Sequence, residues 1–163
     1  MKLRKAILLL ALLLGVSLAG YAQAPDKLTP MSPDAPKDRP ARAPDEKKFD
    51  EVIKPYVEQA RKSYPEAKER YLAGLPAKNV FFVTARLHDA DGRWEQIFVE
   101  VKEIKDGKIN GLIANDITMV SGFKLGDKYS FLEADLLDWT IARPDGTEEG
   151  NFVGKFLDTY HPD

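Results

Sequence analysis

Residues 80–101 read VFFVTARLHDADGRWEQIFVEV, and their pattern predicts a β-hairpin. Residues 80–87 and 94–101 have the alternating pattern of strands and are rich in Val, Ile, Phe and Trp, which favour extended backbone. The polar segment HDADGR between them is typical of a turn. An antiparallel sheet is therefore the first expectation for this chain.

The second strand of this hairpin has bulky side chains on both faces, since alternate residues point to opposite sides of a strand. One face has Ile97, Val99 and Val101, and the other has Trp94, Gln96, Phe98 and Glu100. We expect this strand to lie inside the sheet or to be covered on both sides. If the second face is open, Trp94, Phe98 and Glu100 are candidate ligand contacts, because exposed aromatic residues mark recognition surfaces. Otherwise, the predicted helices cover this face.

Four later segments continue the extended pattern. They are KINGLIAN at 108–115, KLGDKYSF at 124–131, DWTIAR at 138–143 and TEEGNFVGKFL at 147–157, the last being a strand or a short helix. The Asp-Gly pair at 106–107 predicts a second hairpin turn.

Ahead of the hairpin, apolar residues follow the spacing of helices. The stripe after Asp45, a suitable N-cap, consists of Phe49, Val52, Ile53, Tyr56, Val57 and Ala60. Pro55 lies off this stripe and is expected to kink or split the helix. A second helix is predicted to begin at the capping sequence SYPE, residues 63–66, and to end at Gly74. Helices before a run of strands predict an α+β fold, with N-terminal helices packed on a curved antiparallel sheet.

Residues 1–22 have the features of a secretory signal peptide. MKLRK carries three positive charges, and an uncharged, mostly apolar run follows at 6–20. This run is shorter than the roughly 20 residues that a membrane span needs. Small residues favour cleavage after Ala22, or alternatively after Ala24, where Pro25 would follow the cut. The expected location is periplasmic or secreted, without a stable membrane anchor after cleavage.

Residues 23–44 are expected to form a disordered linker, because six of the eleven prolines lie among them. High proline content favours extended polyproline II, and few large apolar residues are present to be buried. One folded domain is then expected at 45–163.

Composition excludes several classes of function. Removal of the signal peptide changes the formal charge from −2 to −5, and an acidic chain lacks the basic surface of a nucleic-acid binder. The absence of cysteine excludes disulfides, thiolate metal sites and cysteine nucleophiles. No cofactor is expected, and the expected partner is an envelope protein or another ligand.

The sequence offers few groups for catalysis or metal binding. His88 and His161 lack the spacing of metal-binding histidines, and Ser121 lacks the G-x-S-x-G elbow. DADG at 89–92 resembles the start of a calcium loop, but Arg93 stands at the fifth position, where an oxygen ligand is needed. We interpret 89–93 as a turn and assign no catalytic or metal-binding residue.

Paired carboxylates give the alternative function. Asp135 and Asp138 face one way if they lie on a helical turn, and Glu100 is a further candidate if the fold brings it close. Two carboxyl groups about 5 to 10 Å apart catalyse glycoside hydrolysis. The alternative is therefore a carboxylate-dependent hydrolase that acts on an envelope polymer.

The segment DLLDW at 135–139 also fits a structural corner. In that interpretation, Asp138 accepts hydrogen bonds from backbone donors while Trp139 fills the core and donates through its indole N–H. Ser130 and Glu133 would cap a short helical turn just before it. The opposing interpretation is that Asp138 and Trp139 contact a ligand.

Several landmarks occur in an order that resembles one bacterial family. They are ARKSYPEAKERYL at 60–72, WEQIFVEV at 94–101, DGKINGLIAND at 106–116, FKLGDKYSF at 123–131 and DLLDWTI at 135–141. Together they resemble the domain of unknown function 2314, over about residues 60–156. The proline-rich extension and ITMV at 117–120, where that family commonly has a proline, depart from its pattern. The resemblance implies no known activity, and the expected function is that of a small, exported, non-catalytic binding or interaction domain.

Overall fold

The computed structural model describes residues 46–160, which form a long helix, a six-stranded antiparallel sheet and a short final helix. The helices are α1 (Glu46–Ala73) and α2 (Phe152–Leu157). The strands are β1 (Val80–His88), β2 (Trp94–Lys105), β3 (Lys108–Ile113), β4 (Lys128–Leu132), β5 (Asp138–Ala142) and β6 (Glu148–Gly150). A 3-10 turn, Glu133–Asp135, links β4 to β5. The predicted α+β class is confirmed.

The strands lie in the order β4-β3-β2-β1-β5-β6, with every neighbouring pair antiparallel. The first four form a meander, and β5 then pairs on the free side of β1. The predicted hairpin is present, with Val83 opposite Val99. Strand β2 lies between β3 and β1, as its two bulky faces predicted.

The later segments also adopt their predicted structures. KINGLIAN contains β3, KLGDKYSF contains most of β4, DWTIAR contains β5, and TEEGNFVGKFL contains β6 and α2. The turn between β2 and β3 has positive φ at both central residues, 52° at Asp106 and 72° at Gly107. That conformation matches the twist of a tight hairpin and explains the Asp-Gly pair.

The prediction of two separate N-terminal helices is wrong, because α1 runs without a break through both Pro55 and Pro65. Ser63 does not cap a new helix: its hydroxyl donates back to the carbonyl oxygens of Gln59 and Ala60, at 3.1 and 3.2 Å. Each proline removes one backbone donor from the helix. Tertiary packing outweighs that loss. Five side chains of α1 are buried in the domain: Ile53, Val57, Ala60, Tyr64 and Ala67.

The second half of α1 packs on one face of the sheet, which we call the helix side. There the ring centroids of Tyr71 and Phe81 are 5.2 Å apart. The principal core on this side also contains Ala60, Tyr64, Ala67, Val83, Ile97, Val99, Ile113, Trp139 and Ile141. The first turns of α1 instead reach the opposite face, where the ring of Phe49 lies 5.3 Å from that of Trp94. One helix therefore contacts both faces of the sheet.

Several predictions concern residues outside the described range 46–160. These are the signal peptide at 1–22, the linker at 23–44, the N-cap Asp45 and the terminal His161, and they stay predictions. Within the described range, no helix is long and apolar enough to cross a membrane.

Candidate functional site

A cleft of about 430 Å³ lies between α1 and the segment that contains β5, β6 and the start of α2. Its walls contain two aromatic residues, Trp139 and Phe152, and five charged residues, Glu66, Arg70, Glu148, Glu149 and Lys155. Ser63, Ala67 and Gly150 complete the lining. Apolar surface beside a few polar groups is typical of small-molecule sites.

Local chain geometry brings these charges together. Glu66 and Arg70 are four residues apart on α1, so they lie on the same face of the helix. On the opposite wall, Asn151 adopts a left-handed conformation with φ of 54° and turns the chain from β6 into α2. Lys155 of α2 then folds back, and its Nζ donates to the carbonyl oxygen of Gly150 at 2.8 Å.

An ion pair connects the two walls of the cleft. Arg70 donates two hydrogen bonds to the carboxylate of Glu149, at 2.5 and 2.9 Å, and Arg143 donates a third at 2.7 Å. The hydrogen bond from Arg70 is the main reason that the pKa of Glu149 is below its ordinary value, against an opposing effect of burial. Both oxygens of Glu149 are therefore occupied within the chain.

Glu148 has hydrogen-bonding capacity that the chain does not use. Its Oε1 accepts a hydrogen bond from Nδ2 of Asn151 at 2.8 Å, whereas its Oε2 is buried and has no partner among the described residues. In the same part of the chain, Oδ1 of Asn151 is also buried without a partner. A buried acceptor that lacks a donor is costly. This end of the cleft would therefore be stabilised by a group that supplies hydrogen-bond donors.

Asp138 and Trp139 of β5 stabilise the wall of the cleft through hydrogen bonds. The indole Nε1 of Trp139 donates to the carbonyl oxygen of Ala60 at 3.2 Å and to Oγ of Ser63 at 3.0 Å. Its ring also meets Phe152 edge-on at 6.0 Å between centroids. The carboxylate of fully buried Asp138 accepts the backbone N–H of Trp139 at 2.8 Å. The structural corner predicted at 135–139 is therefore present, and Trp139 also lines the cleft.

The pKa of Asp138 reflects this position. Burial raises it to about 6, although the backbone donors of Val153, Trp139 and Phe152 oppose the effect. The group is inside the protein and its oxygens accept backbone hydrogen bonds, so we assign it a structural role.

Residues 50–159 match the model of a family described as "Uncharacterized protein conserved in bacteria (DUF2314)". The chain belongs to this family. The resemblance drawn from the landmarks at 60–156 is thereby confirmed, and the whole cleft lies within the matched part of the DUF2314 domain. No curated protein and no solved structure gives a significant match.

Three of the predicted contact residues of the DUF2314 domain, Trp94, Phe98 and Glu100, lie on the face opposite the helix side. Trp94 is 8% exposed, and the guanidinium carbon of Arg86 lies 4.5 Å from its ring centroid. Phe98 is half-buried, and Glu100 pairs with Lys102 at 2.5 Å. The ring of Trp94 is therefore not on an open surface, since Arg86 and α1 cover it. A ligand-binding role for these three residues stays a prediction.

The carboxylates considered for hydrolysis do not converge in the DUF2314 domain. Asp135 is exposed in the 3-10 turn, while Asp138 is buried in β5. The expectation that these two share one helical turn is wrong, because the chain becomes extended after Asp135. Glu100 lies on β2, which β1 separates from β5.

The predicted cap of the 3-10 turn is also wrong. No side chain caps this turn, and Ser130 lies within β4. Glu133 instead accepts hydrogen bonds from the hydroxyl of Tyr64 at 2.8 Å and from Nζ of Lys68 at 2.7 Å. Its role is to connect the turn to α1 rather than to close a capping box.

Residues 89–93 form the turn that the sequence predicted. The Asp89 carboxylate accepts the backbone N–H groups of Asp91, Arg93 and Ser121, each at 3.0 Å. Burial raises the pKa of Asp89, but these donors outweigh that effect and lower it to about 2. His88 is exposed beside this turn, with Nε2 3.0 Å from Oε1 of Glu46.

The sequence did not single out Glu95, which is a buried carboxylate of β2. It is 4% exposed, and it accepts the backbone N–H groups of Thr118, Met119 and Val120, the shortest at 2.8 Å. An acidic residue in a strand usually indicates a solvent-facing position, so the sequence carried no signal of this role. The same is true of the charged residues of the cleft, which come from segments far apart in the chain.

Proposed function

We propose that the DUF2314 domain is exported and binds a small polar ligand in the cleft between α1 and β6, without converting it chemically. The observation that carries this proposal is the cleft itself, about 430 Å³ in volume. A ligand-sized space is present there beside the buried, unpartnered Oε2 of Glu148.

The charges of the cleft indicate the chemistry of the ligand. Arg70 and Glu149 neutralise each other, which leaves Glu66, Glu148 and Lys155 for a ligand. Two carboxylates and one ammonium group favour a compound that has several hydroxyl or amino donors. Phe152 adds apolar surface, which suits the apolar face of a sugar ring. Amino sugars, which occur in bacterial envelopes, combine these properties.

Export is supported by the sequence features of residues 1–22 and requires its own test. The chain should be expressed with its own N-terminus in a bacterium, and the intact mass of the purified protein should be measured. We expect a mature chain that begins at Gln23, or at Pro25 if the second site is used, in the periplasm or the medium. A full-length chain confined to the cytoplasm would refute export and leave the binding proposal standing.

Binding is tested by titration of the purified protein with glucosamine and with N-acetylglucosamine, followed by NMR or calorimetry. We expect Glu148→Gln and Glu66→Gln to weaken binding about ten-fold each, because a charge-assisted hydrogen bond becomes a neutral one. Glu58→Gln is the matched control, since Glu58 is an exposed carboxylate of the same helix outside the cleft. Equal affinity in all three variants would place the ligand elsewhere.

The alternative function remains a carboxylate-dependent hydrolase that acts on an envelope polymer. Glu100 and Asp138 lie on one face of the sheet but on strands that β1 separates, and Asp135 lies in an exposed turn, so their dispersal does not favour it. Incubation with purified envelope glycan, followed by mass spectrometry of soluble products, tests this alternative. Release of fragments that Glu100→Gln or Asp135→Asn abolishes and Glu58→Gln does not would replace the binding proposal.

A further inference from the structure

Strand β4 is one edge of the sheet, because it pairs with β3 on one side and with no described residue on the other. The register places Asn110 opposite Ser130 and Gly111 opposite Tyr129. Just outside the ladder, Ile113 N–H donates to the carbonyl of Asp127 at 2.9 Å, and Glu133 N–H donates to that of Gly107 at 2.9 Å.

These two hydrogen bonds determine which groups of β4 point outward. In an antiparallel pair, residues that exchange hydrogen bonds alternate with residues that do not. Since residues 127 and 133 bond toward β3, the alternation assigns Tyr129 and Phe131 to β3 as well. The backbone N–H and C=O groups of Lys128, Ser130 and Leu132 therefore point away from the sheet. They form an open row of donors and acceptors.

We propose that this edge pairs antiparallel with β4 of a second copy of the chain, with Ser130 opposite Ser130 of that copy on the two-fold axis. An antiparallel arrangement of two identical edges is self-complementary, as a two-fold interface requires. The outward backbone N–H and C=O groups at 128, 130 and 132 then form hydrogen bonds with those at 132, 130 and 128 of the second copy. The two six-stranded sheets become one continuous sheet.

Side chains suit this register on both faces. On the helix side, each Tyr129 lies opposite Phe131 of the other copy, and aromatic cross-strand pairs stabilise antiparallel sheets. Both rings are half-buried in the single chain, and their centroids are 5.8 Å apart. On the other face, each Lys128 lies opposite Leu132, a leucine that is 50% exposed in the single chain. Within β4 no like charges lie opposite each other. Just beyond it, the register places Asp127 opposite Glu133 of the other copy, whose carboxylate already accepts a hydrogen bond from Lys68.

The edge also lacks most of the features that keep edge strands from pairing. Proline, a bulge and an inward-pointing charge are common protections, and β4 has only the exposed Lys128 and its short length. The proline-rich segment of the same chain is a poor occupant. Its longest run without proline is the four residues at 26–29, and proline cannot donate to a ladder. A second copy is the occupant with a matching unbroken strand.

The test measures oligomeric state by sedimentation velocity, using the chain as a bacterium expresses and processes it. A five-residue pairing is small, so we expect a weak dimer that forms over about 10 μM to 1 mM. Ser130→Pro removes the outward N–H without removing a hydrogen bond to β3. Ser130→Lys places two like charges opposite each other on the axis. Ser130→Ala keeps the backbone groups and is the matched control.

We expect Ser130→Pro and Ser130→Lys to weaken the dimer at least about ten-fold, and Ser130→Ala to resemble the wild type, because only the first two disrupt the pairing itself. Circular dichroism establishes whether each variant is folded. If Ser130→Pro does not fold, the comparison of dimer affinity between Ser130→Lys and Ser130→Ala tests the proposal. A wild-type chain that is monomeric at every concentration would overturn the proposal. So would a dimer that none of the three substitutions alters.

Discussion

Asp138 accepts the backbone N–H of Val153 at 2.6 Å, across fifteen positions of the chain. The first residue of β5 thereby holds the first turn of α2 in place. Because Phe152 and Lys155 of α2 line the cleft together with Trp139 of β5, this one hydrogen bond fixes the position of α2 against β5 within one wall of the cleft. The buried carboxylate is also the group with the clearest consequence for stability as pH changes.

Asp138 should make the domain less stable as the pH rises from about 4 to about 6. Its pKa is about 6 in the folded protein because it is buried, whereas a carboxyl group in an unfolded chain titrates near about 3.9. The folded state thus binds the proton more tightly. Its contribution to stability is fully present below the unfolded pKa and is lost as the pH rises through the folded one. A difference of about two units corresponds to about 3 kcal/mol.

Urea denaturation of the wild type and of Asp138→Asn at pH 4 and pH 7 measures this contribution. Other carboxylates titrate in both proteins, so their effects cancel in the difference between the two free energies of unfolding. We expect the wild type to lose about 2 to 3 kcal/mol relative to the variant between these pH values. A difference that does not change with pH would contradict the assignment.

Gly111→Ala should destabilise the domain strongly. A Cβ at this position of β3 would clash with the carbonyl oxygen of Glu100 and with Cγ1 of Val99, because both atoms would lie closer to it than real Cβ atoms approach. Strands β2 and β3 would have to separate, at a cost of at least about 2 to 3 kcal/mol. The control is Gly107→Ala, where nothing lies within 4 Å and φ is 72°. Its cost should be near 1 kcal/mol from backbone strain alone, and equal losses would argue against this packing.

Glu95→Gln should lower the free energy of unfolding by about 2 kcal/mol, because an amide accepts through one oxygen where the carboxylate accepts through two. Backbone donors at Thr118, Met119 and Val120 would compete for that oxygen. Hydrogen exchange at Met119 and Val120 is the direct measurement, and we expect faster exchange in the variant. Glu103→Gln, an exposed position of the same strand, should leave exchange at those amides unchanged.

Pro65→Ala should stabilise the domain. Pro65 is exposed and lies inside α1, where it supplies no backbone donor. Alanine restores that donor and has a higher helix propensity, so we expect a gain of about 1 to 3 kcal/mol in thermal or chemical denaturation. Pro76→Ala lies after the helix and serves as the control, with a small loss expected. A loss at position 65 would show that the ring itself contributes to packing.

The sequence predicted the sheet well because its signals are local. Alternation at 80–101 and the Asp-Gly turn at 106–107 act over a few residues, and the structure follows both. The break expected between Pro55 and Pro65 is absent. Burial of Tyr64 and Ala67 against the sheet outweighs the tendency of proline to interrupt a helix. Trp139 was predicted as a core residue with a bonded indole N–H, and this is confirmed.

The cleft could not be predicted, because its residues are far apart in the sequence. Glu66 and Arg70 precede Glu148 and Lys155 by about eighty residues, and no spacing rule connects positions that meet only after β5 has joined β1. The burial of Glu95 was not predicted, because its backbone donors lie in the loop after β3 and the position of that loop depends on the fold. Sites assembled from distant charged residues leave no periodic signal in a single sequence.

The order in which α1, β5 and α2 are synthesised affects how this protein folds on the ribosome. The extensive contacts of α1 are with β5 and α2, which are among the last segments to be synthesised, although α1 is made first. The helix therefore cannot complete the burial of its apolar stripe until translation is almost finished. A nascent chain of this kind exposes part of that stripe for most of its synthesis to whatever factors receive polypeptides as they emerge.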